Sequence, residues 1–523
     1  MSFLAEIPSL SERGPRCYRH AFTGRSAHTN PRRAQKRLEK SEYRAAAIDL
    51  GASSGRVIVG VYKEGEGLSL HEVHRFENGL IRRGETLAWD LGRILAQVEV
   101  GLAAAAKMGA TTCAIDTWGV DYGLVDGGGR LMGPVVGYRD ARTEGLAAAL
   151  FEGAFKDAYE RTGVPPLDIN TSVQLAAQIR DEGSLPAGAQ VLLVPDLITF
   201  LLTGDRGTEA SIASTTQLMD ASSKQWDKEL LGRLGVDENM VPAVRPLGSD
   251  AGAVKCGDAG GMRMVRACEH DTASAVASVD LEPGDVFVSC GTWSLVGVAR
   301  DTPLATPGAL AVSLSNESGA DGLTLLLANC TGLWIAQQLK RELERRQGWE
   351  LSWEGIAEEV RASRSSGAPC APAFLFDTED PVLAQPGDML GKLERLAREA
   401  GYEGDLGIAE LFGAVYASLA ARYARVIAQL ANVTKEPARR IRMIGGGSRN
   451  AVLCQLVADE CGLPVIAGPA EASAVGNLLV QLCVQGAFAS LEEARRAVGP
   501  ALEHGIYLPR AASDVKGKEA TSC

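Results

Sequence analysis

Histidine and paired cysteine are both scarce in this chain. There are six histidines in 523 residues, and the eleven cysteines, an odd number, include no CxxC spacing. A zinc site or a disulfide framework needs such residues in close register. Neither is indicated, and reduced thiols in a cytoplasm are expected. Long apolar runs are missing too, since a membrane span takes ~18 uncharged residues and LLVPDLITFLL is short and carries Asp196. Positive charge is in deficit. The net charge of −12 argues against a nucleic-acid partner, because phosphate backbones are bound through basic faces.

The charge is unevenly placed. Residues 1–44 hold ten Lys/Arg against four Asp/Glu, a net of +6, which leaves −18 for the body. This head contains Arg13, Arg16, Arg32, Arg33 and Lys36 but lacks the apolar run of a secretory signal. It is read as a flexible tail. A transit peptide or a misplaced start codon gives the same pattern, although Glu6, Glu12, Glu39 and Glu42 weigh against transit. With 46% hydrophobic and 23% charged residues the composition is that of a globular protein. Single cores stop growing near ~250 to 300 residues, so two domains are expected.

The first patterned segment, AAAIDLGASSGRVIVGVY at 45–62, reads as strand, small-residue turn, strand. A Walker loop or a dinucleotide fingerprint would place a helix after its glycines. The turn of Gly51, Ala52, Ser53, Ser54 and Gly55 leaves backbone N–H groups free to approach an anion, and it equally suits a plain hairpin. Asp49 beside it suits a hydrated cation. The plan recurs about 240 residues later in DVFVSCGTWSLVGV, 285–298, which suggests a duplicated fold. The order βββαβ after the first hairpin points to an α/β sheet that begins as a meander.

Three further segments carry polar chemistry. RRIRMIGGGSRNAVLCQL reads as strand, glycine cluster, helix; its Gly445 to Gly447 fit either a helix N-terminus open to an adenosine moiety or a sharp turn. Asp271 in CEHDTASAV sits at a strand-to-helix corner, where a helix cap is the common role. Its place at the seam between the halves also suits a base that takes the proton of an attacking hydroxyl. DTWGVD at 116–121 offers Gly119 for close backbone approach and Trp118 as a flat face for a sugar, or a turn with a packed Trp. YRDART at 138–143 offers Arg139, Asp140 and Arg142 to hydroxyls or to a surface ion pair.

Taken together, AIDLGASSGR, AIDTWGVDYGLVD, YRDART, STTQLMD, HDTASAV, SCGTWSLVG, ANCTGLW, IGGGSRN and AGPAEASAVGN, in this order, resemble the FGGY carbohydrate kinases of the actin-like ATPase superfamily. The likeness runs from about Ala45 to Leu508. It implies an α/β fold of two actin-like (ribonuclease H-like) domains of duplicated architecture with an interdomain cleft. The expected boundaries are a basic extension at 1–43, domains at 44–282 and 283–508, and a tail at 509–523. The implied reaction is transfer of the γ-phosphoryl group of ATP to O1 of L-rhamnulose, with Mg2+. Fuculose, xylulose or glycerol are alternative substrates, and an actin-like nucleotide-gated interaction protein is a rival class.

The resemblance further implies that Ala52, Ser53, Ser54, Gly55 and Arg56 bind the ATP phosphates, with Thr292 from the second hairpin, and that Gln337 and Gly446 lie near the nucleoside. Gly119, His270, Asp271, Thr272 and Asn329 would contact the sugar. Asp271 would accept the proton and Asp49 would orient Mg2+ through water. A cytoplasmic monomer or homodimer is expected. ANCTGLW around Asn329 and NESG at 316–319 depart from the family's usual wording. Val457 stands opposite Cys461 where some relatives pair two cysteines, so that disulfide is not expected.

Overall fold

The computed structural model of the chain describes residues 41–365, 372–385 and 387–510. The basic head up to residue 40, and 511–523 of the expected tail, lie outside the described residues.

The first half is built on a six-stranded sheet. Strands β1 (Glu42–Leu50), β2 (Ser54–Lys63) and β3 (Gly67–Glu77) form an antiparallel meander, and β4 (Thr112–Thr117) runs parallel to β1. Helix α1 (Leu91–Lys107) makes the crossover, started by Asp90, whose side chain accepts from Arg93 N–H. Strands β5 (Asp250–Ala253) and β6 (Arg263–Val265) complete the order β5-β6-β4-β1-β2-β3. The expected βββαβ plan is present, with one addition: a small hairpin, Leu80–Arg83 and Thr86–Trp89, sits between β3 and α1. A short helix, α2 (Asp271–Ala277), ends this half.

The second half repeats the scheme. Strands β7 (Asp285–Cys290) and β8 (Trp293–Arg300) form its hairpin; β9 (Ser315–Ser318) and β10 (Thr324–Thr331) extend the meander. Helices α3 (Trp334–Gln347) and α4 (Ile408–Thr434) follow, then β11 (Arg440–Ile444), parallel to β7 as β4 is to β1. Helix α5 (Ala451–Cys461), β12 (Val465–Ala467), α6 (Ala472–Val484) and β13 (Gly505–Tyr507) close the order β9-β10-β8-β7-β11-β12-β13. β1 from Ala45 onward, and β7 almost throughout, are buried because each is central, covered on both faces.

Each half has its own core, one around Ile48, Val59, Leu102 and Ile115, the other around Val288, Leu339, Phe412 and Met443. Between β4 and β5 the chain builds a further layer with a separate core of Tyr122, Leu175, Leu193 and Leu230. The halves are joined by α6, which lies on the first sheet. Gln481 donates to Ala46 O at 2.9 Å and accepts from Thr112 Oγ1 at 2.7 Å, and Gln485 donates to Arg44 O at 2.9 Å. Where α6 crosses α2, a Cβ on Gly476 would stand 1.8 Å from Ser274 O, so only glycine admits this approach.

Candidate active site

The two hairpin turns meet. In the first, Gly51 N–H donates to Ser54 O at 2.9 Å, and Asn78 braces the turn from β3 by donating to Gly51 O and Ser53 O. The Ala52 side chain packs inward, while Ser53 Oγ lies 3.5 Å from Thr292 Oγ1 of the second turn. Thr292 Oγ1 in turn donates to Gln337 Oε1 at 3.3 Å. Three residues expected around ATP, from β2's turn, β8's turn and α3, therefore form one polar chain. Arg56 is not free to follow an anion: it pairs with Asp49 at 2.9 Å and with Glu471 before α6. Gly55 points the other way, against the Phe76 ring.

The glycine cluster divides its labour. A Cβ on Gly447 would stand 2.2 Å from Cys290 Sγ, and Gly445 has φ +81 against Cys290 O, so both serve close packing. Gly446 faces open space, with nothing within 4 Å of its Cβ position. The helix after it is not open to a ligand, because Asn450 Oδ1 already accepts from Val452 N–H and Leu453 N–H. This corrects the helix-N-terminus reading. The exposed surface is instead the short turn at Gly446.

Asp271 is the first residue of α2, with His270 at the cap position, so it does not cap the helix as its sequence context suggested. About a third of its side chain, 32%, stays open. Burial by the surrounding protein raises its carboxyl above the ordinary range, His270 opposes this, and the Asp49 carboxylate adds to it. Thr272 Oγ1 donates to Asp271 Oδ1 at 3.2 Å, fixing the carboxylate's direction. His270 is placed by its own N–H, which donates to Ser211 Oγ at 3.1 Å, and by a bridge to Thr117 at the end of β4. Its ring is buried between Asp271 and Glu317. Asn329, the remaining expected sugar contact, is exposed on β10 opposite Leu295.

The DTWGVD segment is mostly structural. Trp118 is buried and its ring lies 4.0 Å from that of Trp89, so it offers no flat face to a sugar. Both indoles donate to Asp121 Oδ2, at 3.0 and 2.6 Å, while Gln174 donates to Oδ1 at 2.9 Å. Burial still pushes Asp121 up to about 6. Gly119 packs against Thr215, whose Oγ1 accepts from Val120 N–H at 3.1 Å. Val120 has φ +69, a strained conformation for a β-branched residue, held by this bond and by Thr171 Oγ1 donating to Val120 O at 2.6 Å.

In YRDART, Asp140 accepts from Leu87 N–H at 2.7 Å and Arg142 donates to Gln174 at 3.2 Å, so both are internal supports. Arg139 behaves differently. Its guanidinium stacks on Tyr138, and on Trp293 and Trp334 of the second half, at 5.6, 5.8 and 5.0 Å from the ring centres. No carboxylate among the described residues pairs with it.

Several of these partners carry no signal in the sequence. Glu471 and Asn477 lie 415 and 361 residues from the groups they hold, Arg56 and Asp116. Asn477 donates to Asp116 Oδ2 at 2.8 Å, yet Asp116 Oδ1 is buried without a partner among the described residues. Burial, Asp49 and Asp271 hold the Asp116 carboxyl well above its usual range. Asp116 sits beside Asp49 in the β1–β4 register. Among the described residues no three ligand-type side chains converge on one point. Adjacent carboxylates with an orphaned oxygen, and no protein cage, fit a divalent cation that keeps its waters and is shared with phosphates.

The N-terminal domain profile of the FGGY family of carbohydrate kinases matches residues 45–277 and its C-terminal domain profile matches 286–484. The chain is 36% identical over 479 residues to a rhamnulokinase of Pectobacterium carotovorum subsp. carotovorum (strain PC1), covering 90% of this chain and 94% of the relative. A rhamnulokinase of Klebsiella pneumoniae (strain 342) is 35% identical over 475 residues, covering 90% and 95%. A ligand-bound xylulose kinase from Lactobacillus acidophilus superposes with a TM-score of 0.72 at 14% identity, covering 91% and 95%. Plasmodium falciparum glycerol kinase with ADP gives 0.69 at 14%, covering 91% and 96%. These likenesses establish the two-domain actin-like fold. Among the described residues no helix is long and apolar enough to cross a membrane. With matching profiles over both halves and curated relatives over nine-tenths of its length, this chain belongs to the FGGY family of carbohydrate kinases and is a sugar phosphotransferase.

Proposed function

We propose that the chain transfers the γ-phosphoryl group of ATP to O1 of L-rhamnulose, releasing L-rhamnulose 1-phosphate and ADP in the cytoplasm. The sugar is inferred from the rhamnulokinases at 35–36% identity. The observation that carries the chemistry is the setting of Asp271: a carboxylate with a third of its side chain open, raised by burial and by Asp49, the residue at the end of β1 just before the first turn. As O1 attacks phosphorus, its proton passes to Asp271; the O1–P bond forms, the bond to the β-phosphate oxygen breaks, and ADP leaves. Ser53 and Thr292 hydroxyls and the backbone of the Gly51–Gly55 turn orient the phosphates, and Gly446 leaves room for the nucleoside. Mg2+, held by Asp49 through water with Asp116 behind it, would neutralise charge between the phosphates. The two domains are assigned to 44–282 and 283–508.

The test is ADP release with MgATP across L-rhamnulose, L-fuculose, D-xylulose and glycerol, with wild type and Asp271→Asn. L-rhamnulose is expected to give the highest kcat/KM, and Asp271→Asn to lose roughly 10² to 10⁴ in kcat with little change in KM. Preference for another sugar would overturn the substrate. Hydrolysis indifferent to sugar would support a nucleotide-gated protein instead, and a near-normal Asp271→Asn would remove the base.

A further inference from the structure

The second half sends one carboxylate to the ring beside the base. His270 Nδ1 lies 3.2 Å from Glu317 Oε2 and His270 Nε2 lies 3.5 Å from Asp271 Oδ1, so the imidazole stands between an acid of each half. His270 and Glu317 are 7% and 6% exposed. His270 Nδ1 and Glu317 Oε2 are both buried without a hydrogen bond among the described residues, so at 3.2 Å each is the other's nearest opposite charge.

Glu317 is held in place from both sides. On β9, Asn316 N–H donates to Gly163 O at 2.9 Å and Ser318 N–H donates to Ser214 Oγ at 2.9 Å. Both acceptors belong to the first half, so the short strand is stitched across the cleft by its backbone, with the carboxylate between the stitches. A buried acid unpaired with a cation would be costly. The arrangement therefore favours the charged form of the imidazole.

We propose that Glu317 is a positioning residue for phosphoryl transfer: reaching across from the second half, it holds the His270 imidazolium against Asp271 and so fixes the base only when the halves are together. This rests on the reading of Asp271 as the base. The charged groups facing His270 are Glu317 from β9, Asp271 from its own helix, and Glu209 from the layer packed behind it. Burial pulls the imidazole down, and these three carboxylates, Glu317 foremost, more than offset it. Those facing Asp271 are His270, Asp49 and Asp116. Loss of the imidazolium would leave only the Thr272 hydrogen bonds to oppose burial and the neighbouring carboxylates at the base.

The experiment compares full-length wild type, Glu317→Gln, Glu317→Asp and Asp271→Asn. Steady-state rates are measured with MgATP and the sugar turned over fastest in the panel above. The His270 ring nitrogens are followed by NMR in 15N-histidine-labelled protein, where only six histidines need assignment. Glu317→Gln is expected to lower kcat by roughly 10-fold or more with KM for ATP within about 2-fold, and to move the His270 titration to lower pH. Glu317→Asp should restore part of both. Normal kcat in Glu317→Gln while Asp271→Asn is inactive overturns the proposal alone. So does a loss of kcat with an unmoved His270 titration, which marks a purely structural role. Normal turnover in Asp271→Asn overturns the base assignment and this inference with it.

Discussion

Asp121 accepts from Trp89, Trp118 and Gln174, yet burial keeps its carboxyl up at about 6. An unfolded aspartate titrates near ~3.9, so the folded state holds the proton more tightly. Its contribution to stability is therefore fully present below about 4 and is lost as pH rises through about 6. Glu209, pushed up to about 7 by burial and Glu269, acts in the same direction over a window that reaches higher. Asp121→Asn cannot titrate. The melting temperature of wild type should fall relative to Asp121→Asn between about pH 4 and 7, by thermal unfolding; a gap that does not change with pH would contradict the assignment. This role was not legible locally. DTWGVD shows a polar residue after an aromatic one, but its depth is set by Trp89, 32 residues earlier, and Trp118 reads as an open face for the same reason. Asp271 was more legible, since its place between two repeated hairpins follows from order along the chain, whereas Glu317 shows only as an ordinary acid in NESG.

The hairpins β1–β2 and β7–β8 were readable because each is an apolar run, a small turn and a second apolar run; that β4 and β11 pair with them in parallel is what the structure adds. What the pattern could not give is which turn residues face the ligand. Gly55 looks like part of a phosphate cradle, but a Cβ there would stand 2.3 Å from the Phe76 ring, in the packing between β2 and β3. Gly446 looks like one of three equivalent turn glycines, but it alone opens outward. The two should fail differently. Gly55→Val is expected to lower stability by about 1–3 kcal/mol. Gly446→Val should leave the melting temperature near wild type while raising KM for ATP several-fold with KM for sugar little changed. Equal thermal losses in both would show that the turn at Gly446 is packing as well. The extra hairpin at 80–89 and the layer between β4 and β5 escaped the sequence because their strands are only two to four residues long.

At the scale of the molecule, the duplicated sheets are tied by α6 through amide side chains reaching β1 and β4, and through the contact of Gly476 with α2. The amides replace backbone partners that a sheet face lacks, and no periodicity in 472–484 announces them. Spin labels at Glu85 and Gln347, exposed positions one on each half, should report a separation that changes by several ångströms when MgATP and sugar are added; an unchanged distance would argue against closure. Gly476 also sets how such a movement can occur. Two backbones in contact with no side chain between them have little room to slide, so a rotation of one half on the other would pivot near this crossing. Displacement then grows with the lever arm from it. A rotation small enough to keep the Asn477–Asp116 bond would be magnified at the far contact of Arg139 with Trp293 and Trp334.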